Sequence, residues 1–266
     1  MPGSRGVRSV LIGIVAGSFS GLTGVGGGSI MVPLMTGQLG LSQHRAHGSS
    51  LAIIAFVAVA GALGYAHAGN IDWRLVLALT PGAIAGVLVG ARTMMRLPEA
   101  RLKLLFGLFL LFVAFRQLVW QVEAGAPGGG IESLLVEAAF GFAGGLLAGV
   151  LGVGGGAIFV PAIVIFGLAD LSGGADPQKV AQGVSLVVIV LTGFAGTITN
   201  VRQGAVDAPT VRWIAPAAVV AAFAASIVAN DIDAAVLERI YGVTALLLGV
   251  QTIFESARRL RAAEQG

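Results

Sequence analysis

The chain contains no cysteine and only three histidines, His44, His47 and His67, all in its first half. Disulfides, thiolate metal sites and cysteine nucleophiles are therefore excluded. Charge is equally scarce: 11% of residues are charged, against about 25% in an ordinary soluble domain. An ordinary soluble domain is excluded on that ground. Only 9 prolines accompany 41 glycines, no G-X-Y period is present, and 56% of the residues are hydrophobic, so neither collagen nor disorder fits. The glycines must sit among packed apolar helices.

The formal charge of +3 comes from short basic clusters between apolar runs rather than from one basic stripe. Nucleic acid is not an expected partner, and membrane topology accounts for the pattern. The opening MPGSRGVRSVLIGIVAG has the look of a signal peptide, but its apolar stretch runs on into a glycine loop with no polar region. It is expected to be a retained membrane segment.

What is present is a duplication. Residues 13 to 34, GIVAGSFSGLTGVGGGSIMVPL, recur as GFAGGLLAGVLGVGGGAIFVPA from Gly141, 128 residues on. Gly24, Gly26, Gly27, Gly28 and Pro33 thereby pair with Gly152, Gly154, Gly155, Gly156 and Pro161. After a seven-residue insertion the register becomes 135: QHRAHGSSL at Gln43 faces QKVAQGVSL at Gln178, Gly69 and Asp72 face Gly204 and Asp207, and Pro81 faces Pro216. Two units follow, 1–122 and 131–266, joined by a linker at 123–130.

Each unit holds five apolar segments, near Val7–Thr23, Ser29–Leu41, Gly48–Ala68, Leu75–Ala91 and Leu102–Val122 in the first, and near Ile131–Leu151, Ala157–Ala169, Val180–Asn200, Val211–Ala229 and Ala234–Phe254 in the second. At ~1.5 Å per residue the second of each set falls short of a bilayer crossing. The expected fold is all-α: a polytopic membrane protein of two five-segment repeats, each starting with a broken or re-entrant helical hairpin tipped by glycine.

If each hairpin returns to the side it entered from, three crossings follow per unit. Cytoplasmic loops then hold Arg5, Arg8, Arg45, Arg92, Arg96, Arg101, Lys103, Arg202, Arg212, Arg258, Arg259 and Arg261, which is 12 of the 16 basic residues. Both termini are expected in the cytoplasm, in a multi-pass protein of the inner membrane. Three is odd, so the second unit is inverted relative to the first. The tips Gly24–Gly28 and Gly152–Gly156 are then expected to meet near the midplane.

Non-helical backbone at that depth must be buried in protein or line a wet cavity. A glycine run can turn successive amides inward, and the half-helix that Ser29 or Ala157 begins adds its positive dipole end, so two facing tips form an anion cradle. The expected solute-binding residues are Gly24, Gly26, Gly27, Gly28 and Ser29 with Gly152, Gly154, Gly155 and Gly156, joined by the polar residues His47, Ser50, Gln182 and Ser185 at the start of the following segments. For Ser50 and Ser185 a bond to a neighbouring helix carbonyl is the competing role. His67 and Arg202 read as surface residues, Asp72 and Asp207 as helix caps, and Arg116 and Glu137 as interfacial. The stripes Gly13-Gly17-Gly21, Gly141-Gly145-Gly149, Gly82-Gly86-Gly90 and Ala217-Ala221-Ala225 read as close-packing faces.

Cofactor motifs are weak or missing. Gly152-Val153-Gly154-Gly155-Gly156-Ala157 spells a dinucleotide fingerprint, with Asp176 about twenty residues on, but a long small-residue helix precedes it instead of a strand. No GK[ST] follows either tip and HExxH is absent, so no cofactor, metal or catalytic residue is expected.

GLTGVGGGSIMVPLM and GVLGVGGGAIFVPAI, each followed by a GxSL-type helix and a Gly-x-x-Asp corner, resemble the sulfite exporter TauE/SafE family over nearly the whole chain. The resemblance implies a multi-spanning secondary carrier, an exporter of small organosulfur or sulfur oxyanions such as sulfite or sulfoacetate. Its partners would be a small anionic solute and the bilayer, with a homo-oligomer left open. A carrier of another small anion or metabolite, and a non-transporting structural or sensory membrane protein, are the alternatives. Ser29 and His47 become Ala157 and Gln182 in the second unit, so the cradle is expected to be asymmetric.

Overall fold

A computed structural model describes residues 2–93, 131–169 and 176–264, with positions 104, 107, 108, 110–112, 114 and 115 between them. The 123–130 linker and Arg116 lie outside the described residues. Nine helices are described: α1 (Pro2–Thr23), α2 (Gly28–Leu39), α3 (Gln43–His67), α4 (Trp73–Thr93), α5 (Ile131–Leu151), α6 (Gly156–Ile165), α7 (Pro177–Arg202), α8 (Ala208–Asp231) and α9 (Ala234–Glu264). The described positions from 104 to 115 are helical too, with Gly107 set against Gly249 of α9. No strand is found among the described residues.

Seven of these helices are long and apolar enough to cross a membrane. The other two, α2 with 12 residues and α6 with 10, extend only ~15–18 Å at ~1.5 Å per residue, about half of a ~30 Å hydrocarbon core. Each begins at the tip glycine, Gly28 or Gly156, one residue before the serine or alanine expected to start it. Glycine with φ near +70° at the preceding position turns the chain sharply enough to begin the helix that early. Large apolar side chains such as Leu77, Leu135, Val220 and Leu247 are exposed on the outer surface. In water such a belt would be an aggregation hazard; in lipid it is the solvated face. The protein is a multi-pass membrane protein.

Small residues set the packing. A Cβ added to Gly17 would run into the Ala218 backbone, and one added to Gly13 or Gly21 would meet α8 in the same way, so α1 lies along α8 with backbones touching. Gly82, Gly86 and Gly90 of α4 make the equivalent approach to Ala138, Phe142 and Leu146 of α5. In each case the first helix of one half packs on the fourth helix of the other, and the halves interlock.

The remaining packing pairs obey the same exchange: α2 on α3 matches α6 on α7, and α3 on α8 matches α7 on α4. The central pair, α3 and α7, crosses itself. Gly48 lies beside Ala205, Gly193 beside Ala55, and Gly183 beside Tyr65 and Asn70, so these two repeat-equivalent helices run antiparallel.

Polar contacts collect at the two ends of the bundle. At one end Arg45 pairs with Asp207 at 3.4 Å. At the other, Asn70 donates to Asn230 at 2.7 Å, Lys179 donates to the Asn230 carbonyl at 2.7 Å, and Arg74 pairs with Glu137 at 2.8 Å.

Candidate functional site: two glycine tips in contact

Both tips are built alike. The φ angles are +68°, +95° and +72° at Gly24, Gly26 and Gly27, and +65°, +94° and +70° at Gly152, Gly154 and Gly155. An L side chain at any of the six would be strained by about 1–2 kcal/mol in this left-handed region, which is the local reason for glycine. Gly24 and Gly152 close the preceding helices by donating their backbone N–H groups to the Ser20 and Ala148 carbonyls, both at 2.9 Å. Gly27 and Gly155 then open α2 and α6.

The tips touch. A Cβ on Gly28 would collide with the Gly152 carbonyl, one on Gly156 would lie 2.7 Å from the Val25 Cα, and one on Gly154 3.3 Å from the Val25 carbonyl oxygen. All eight tip glycines named above are buried.

Side chains of the two antiparallel helices hold this contact. Ser185 of α7 donates to the Gly24 carbonyl at 2.7 Å, and Ser50 of α3 donates to the Gly152 carbonyl at 3.4 Å. His47 Nε2 lies 3.3 Å from the Gly149 carbonyl oxygen, a hydrogen bond that places the proton on Nε2. Its counterpart Gln182 reaches the equivalent carbonyl through an intermediary: the Tyr65 hydroxyl stands 2.7 Å from Gln182 Oε1 and 3.1 Å from the Gly21 carbonyl oxygen. The Gln182 Nε2 atom is buried and without a partner. All thirteen residues expected at the site therefore lie on the two tips or on the helices clasping them. Ser50 and Ser185 are engaged with backbone carbonyls of the opposite tip.

Five other helix starts are closed by side chains. Ser42 caps α3, Asp72 accepts from Leu75 N at the start of α4, Asp176 accepts from Gln178 N and Lys179 N, Asp207 accepts from Thr210 N, and Asp233 from Ala235 N. The starts of α2 and α6 have no side-chain cap. Two positive dipole ends are thus left open inside the protein.

Beside the first tip lies a cavity of about 70 Å³, bounded by Gly28, Ser29, Val32 and Pro33, by Leu151 and Val153 of the other hairpin, and by Leu248, Gln251, Thr252 and Glu255 of α9. The Ser29 hydroxyl oxygen is buried and has no partner. Around the second tip, Ala157, Ile158, Val160 and Pro161 are buried.

Sequence reasoning missed Tyr65, Gln251, Thr252 and Glu255. A signal for Tyr65 was present, since its counterpart at register 135 is Asn200, polar and buried as well. Gln251 and Thr252 are adjacent polar residues in the otherwise apolar stretch 245–254. His67 and Arg202 are exposed at their corners, and Asp72 and Asp207 are caps; Asp207 also receives Arg45 and donates its own amide to Ser49 Oγ at 2.8 Å. Glu137 is buried against its neighbours, 1% exposed, and ion-paired with Arg74 at the same end of the bundle as Asn70. The dinucleotide fingerprint follows a helix, α5, and Asp176 serves as a cap. Among the described residues no group of three or more acidic or histidine side chains could hold a metal ion.

The sulfite exporter TauE/SafE family profile matches residues 2–125 and 137–266. A probable membrane transporter protein YunE of Bacillus subtilis is 24% identical over 270 residues, covering 92% of this chain and 96% of that protein. A probable membrane transporter protein of Xylella fastidiosa is 23% identical over 262 residues, covering 94% and 97%. The probable membrane transporter protein MamO of Magnetospirillum gryphiswaldense is 34% identical over 119 residues, 42% of this chain and 19% of that longer protein. No solved structure matches significantly. With the profile covering both halves and the doubled glycine tips in place, the chain belongs to the sulfite exporter TauE/SafE family of membrane transporters.

Proposed function

We propose that this protein is a secondary exporter of a small sulfur oxyanion such as sulfite or sulfoacetate, bound near the bilayer midplane at the two glycine tips. It lies in the inner membrane with both termini in the cytoplasm, and no catalytic role is assigned to it. The carrying observation is that α2 and α6 meet tip to tip with their N-termini uncapped. Each helix start is equivalent to roughly half a positive charge, and an anion replaces the missing cap as it does at other helix N-termini. The cavity beside Gly28 and Ser29 has room for a few waters at ~10–15 Å³ each, hence for a sulfite ion or the sulfonate end of sulfoacetate.

Inversion of the halves is supported by the antiparallel crossing of α3 and α7 and by the separation of Arg45–Asp207 from the Asn70–Asn230–Lys179 group. Export needs no further energy source: one negative charge leaving a cell at ~100 mV, negative inside, gains ~2.3 kcal/mol.

The test is flux of radiolabelled sulfite and sulfoacetate in proteoliposomes. Gly27→Val and Gly155→Val are expected to abolish flux, while Gly37→Val, at a position with nothing within 4 Å of an added Cβ, keeps it. Wild-type rates in monodisperse tip variants would discard the cradle.

A further inference from the structure

The two tips are held by repeat-equivalent pairs of side chains that differ in chemistry. At register 135 the pair behind the first tip, Tyr65 of α3 and Gln182 of α7, corresponds to Asn200 of α7 and His47 of α3 behind the second. His47 bonds the Gly149 carbonyl directly at 3.3 Å, and the buried Asn200 has an Nδ2 atom without a partner among the described residues. At the first tip the Tyr65 hydroxyl stands between Gln182 and the Gly21 carbonyl, yet it has one proton for the two acceptors. The Gln182 amide occupies the same volume when turned over. Its Nε2 then donates to Tyr65 Oη at 2.7 Å, Tyr65 donates to the Gly21 carbonyl at 3.1 Å, and the buried donor that otherwise lacks a partner is satisfied. A relay of hydrogen bonds thus runs from α7 through α3 to α1.

The first tip depends on such a brace because packing encloses it on fewer sides. Ser29 and Pro33 border the cavity and are only partly buried, whereas their equivalents Ala157 and Pro161 are buried. A segment with fewer buried apolar contacts opens more easily, so its position rests on the directional bonds behind it. Those bonds are the shorter set: Ser185 reaches the Gly24 carbonyl at 2.7 Å, against 3.4 Å from Ser50 to Gly152.

We propose that Tyr65 and Gln182 are positioning residues for transport, which fix the first tip at the edge of the cavity from behind. Neither lines the cavity. The inference rests on the reading of the first tip as the solute site and adds the pair that holds it in place.

The cysteine-free chain allows the position of the tip to be read apart from flux. Val32 lines the cavity, and Val160 of α6 is its repeat equivalent. In full-length protein in liposomes, Tyr65→Phe removes only the hydroxyl; it is expected to speed modification of Val32→Cys by a water-soluble methanethiosulfonate about fivefold, the weight of one buried hydrogen bond, and to leave Val160→Cys unchanged. Without the reporter cysteines, the KM for radiolabelled sulfite should rise by a similar factor while the maximal rate holds. Tyr65→Asn with Gln182→His transplants the pair of the second tip onto the first, where the imidazole can reach the Gly21 carbonyl as His47 reaches Gly149. Both readings should return towards wild type. Equal acceleration at the two cysteines, or none at either, overturns the positioning role, as does a folded transplant that behaves like Tyr65→Phe. Wild-type protein that carries no sulfite removes the solute reading of the tip and leaves the labelling to decide the role of Tyr65 and Gln182.

Discussion

Ser185 donates its hydroxyl to the carbonyl of Gly24 at 2.7 Å, so a helix of the second half holds the loop of the first. The reciprocal bond, Ser50 to Gly152, is longer at 3.4 Å. Both hydroxyls are fully buried, and each occupies a carbonyl that would otherwise be orphaned at the tip. Ser185→Ala should therefore destabilise by about 1–3 kcal/mol, the penalty for stranding a buried acceptor, and Ser50→Ala by less. Thermal unfolding of the two variants in one detergent checks the order.

The glycine stripes make a sharper contrast. Gly17→Ala places a methyl group on the Ala218 backbone, where no side chain can turn away, and overpacking of this kind costs about 1–3 kcal/mol. Gly37, in α2, is exposed with open space around it. Replacing it by alanine should stabilise by up to about 1 kcal/mol from helix propensity alone. Unfolding midpoints that move the same way in both variants would contradict the backbone-contact account of α1 and α8.

Arg74 and Glu137 form a pair of unequal burial, 46% and 1% exposed. Removing the arginine leaves an uncompensated carboxylate in the interior, so Arg74→Ala should cost about 3 kcal/mol. The double variant Arg74→Ala with Glu137→Gln should recover much of that loss, because no stranded charge is left. A double variant no more stable than Arg74→Ala would show that the pair contributes through packing rather than charge.

Much of this arrangement was legible before any coordinates. The repeat at 128 and 135 residues placed the tips, and the short segments after them identified the two helices shorter than a bilayer crossing. Stripe residues such as Gly82 and Gly145 announced close contacts, although not which helix each would meet: pairing α1 with α8 depends on how the halves interlock, and sequence spacing carries no information across 200 residues. The roles of Ser50 and Ser185 were open for the same reason. A serine that binds solute and one that binds a carbonyl read identically until the carbonyl is located. Tyr65 escaped because a tyrosine in an apolar helix reads as core, and only its contact with Gln182 and Gly21 shows the hydroxyl to be the structural counterpart of a histidine bond.

The chain's lack of cysteine makes the relative orientation of the two halves in the membrane directly measurable. His67 and Arg202 are equivalents in the repeat, both exposed, each two residues before a glycine corner at Gly69 or Gly204. Parallel halves would put them on one side of the membrane; inverted halves put them on opposite sides. In intact cells an impermeant maleimide should label His67→Cys and leave Arg202→Cys untouched until the membrane is opened. The antiparallel crossing of α3 and α7 requires this difference, since the two residues end those helices. Equal labelling of the two in intact cells would mean that the halves enter the bilayer in the same sense, and the two short helices would then approach the tips from one face instead of two.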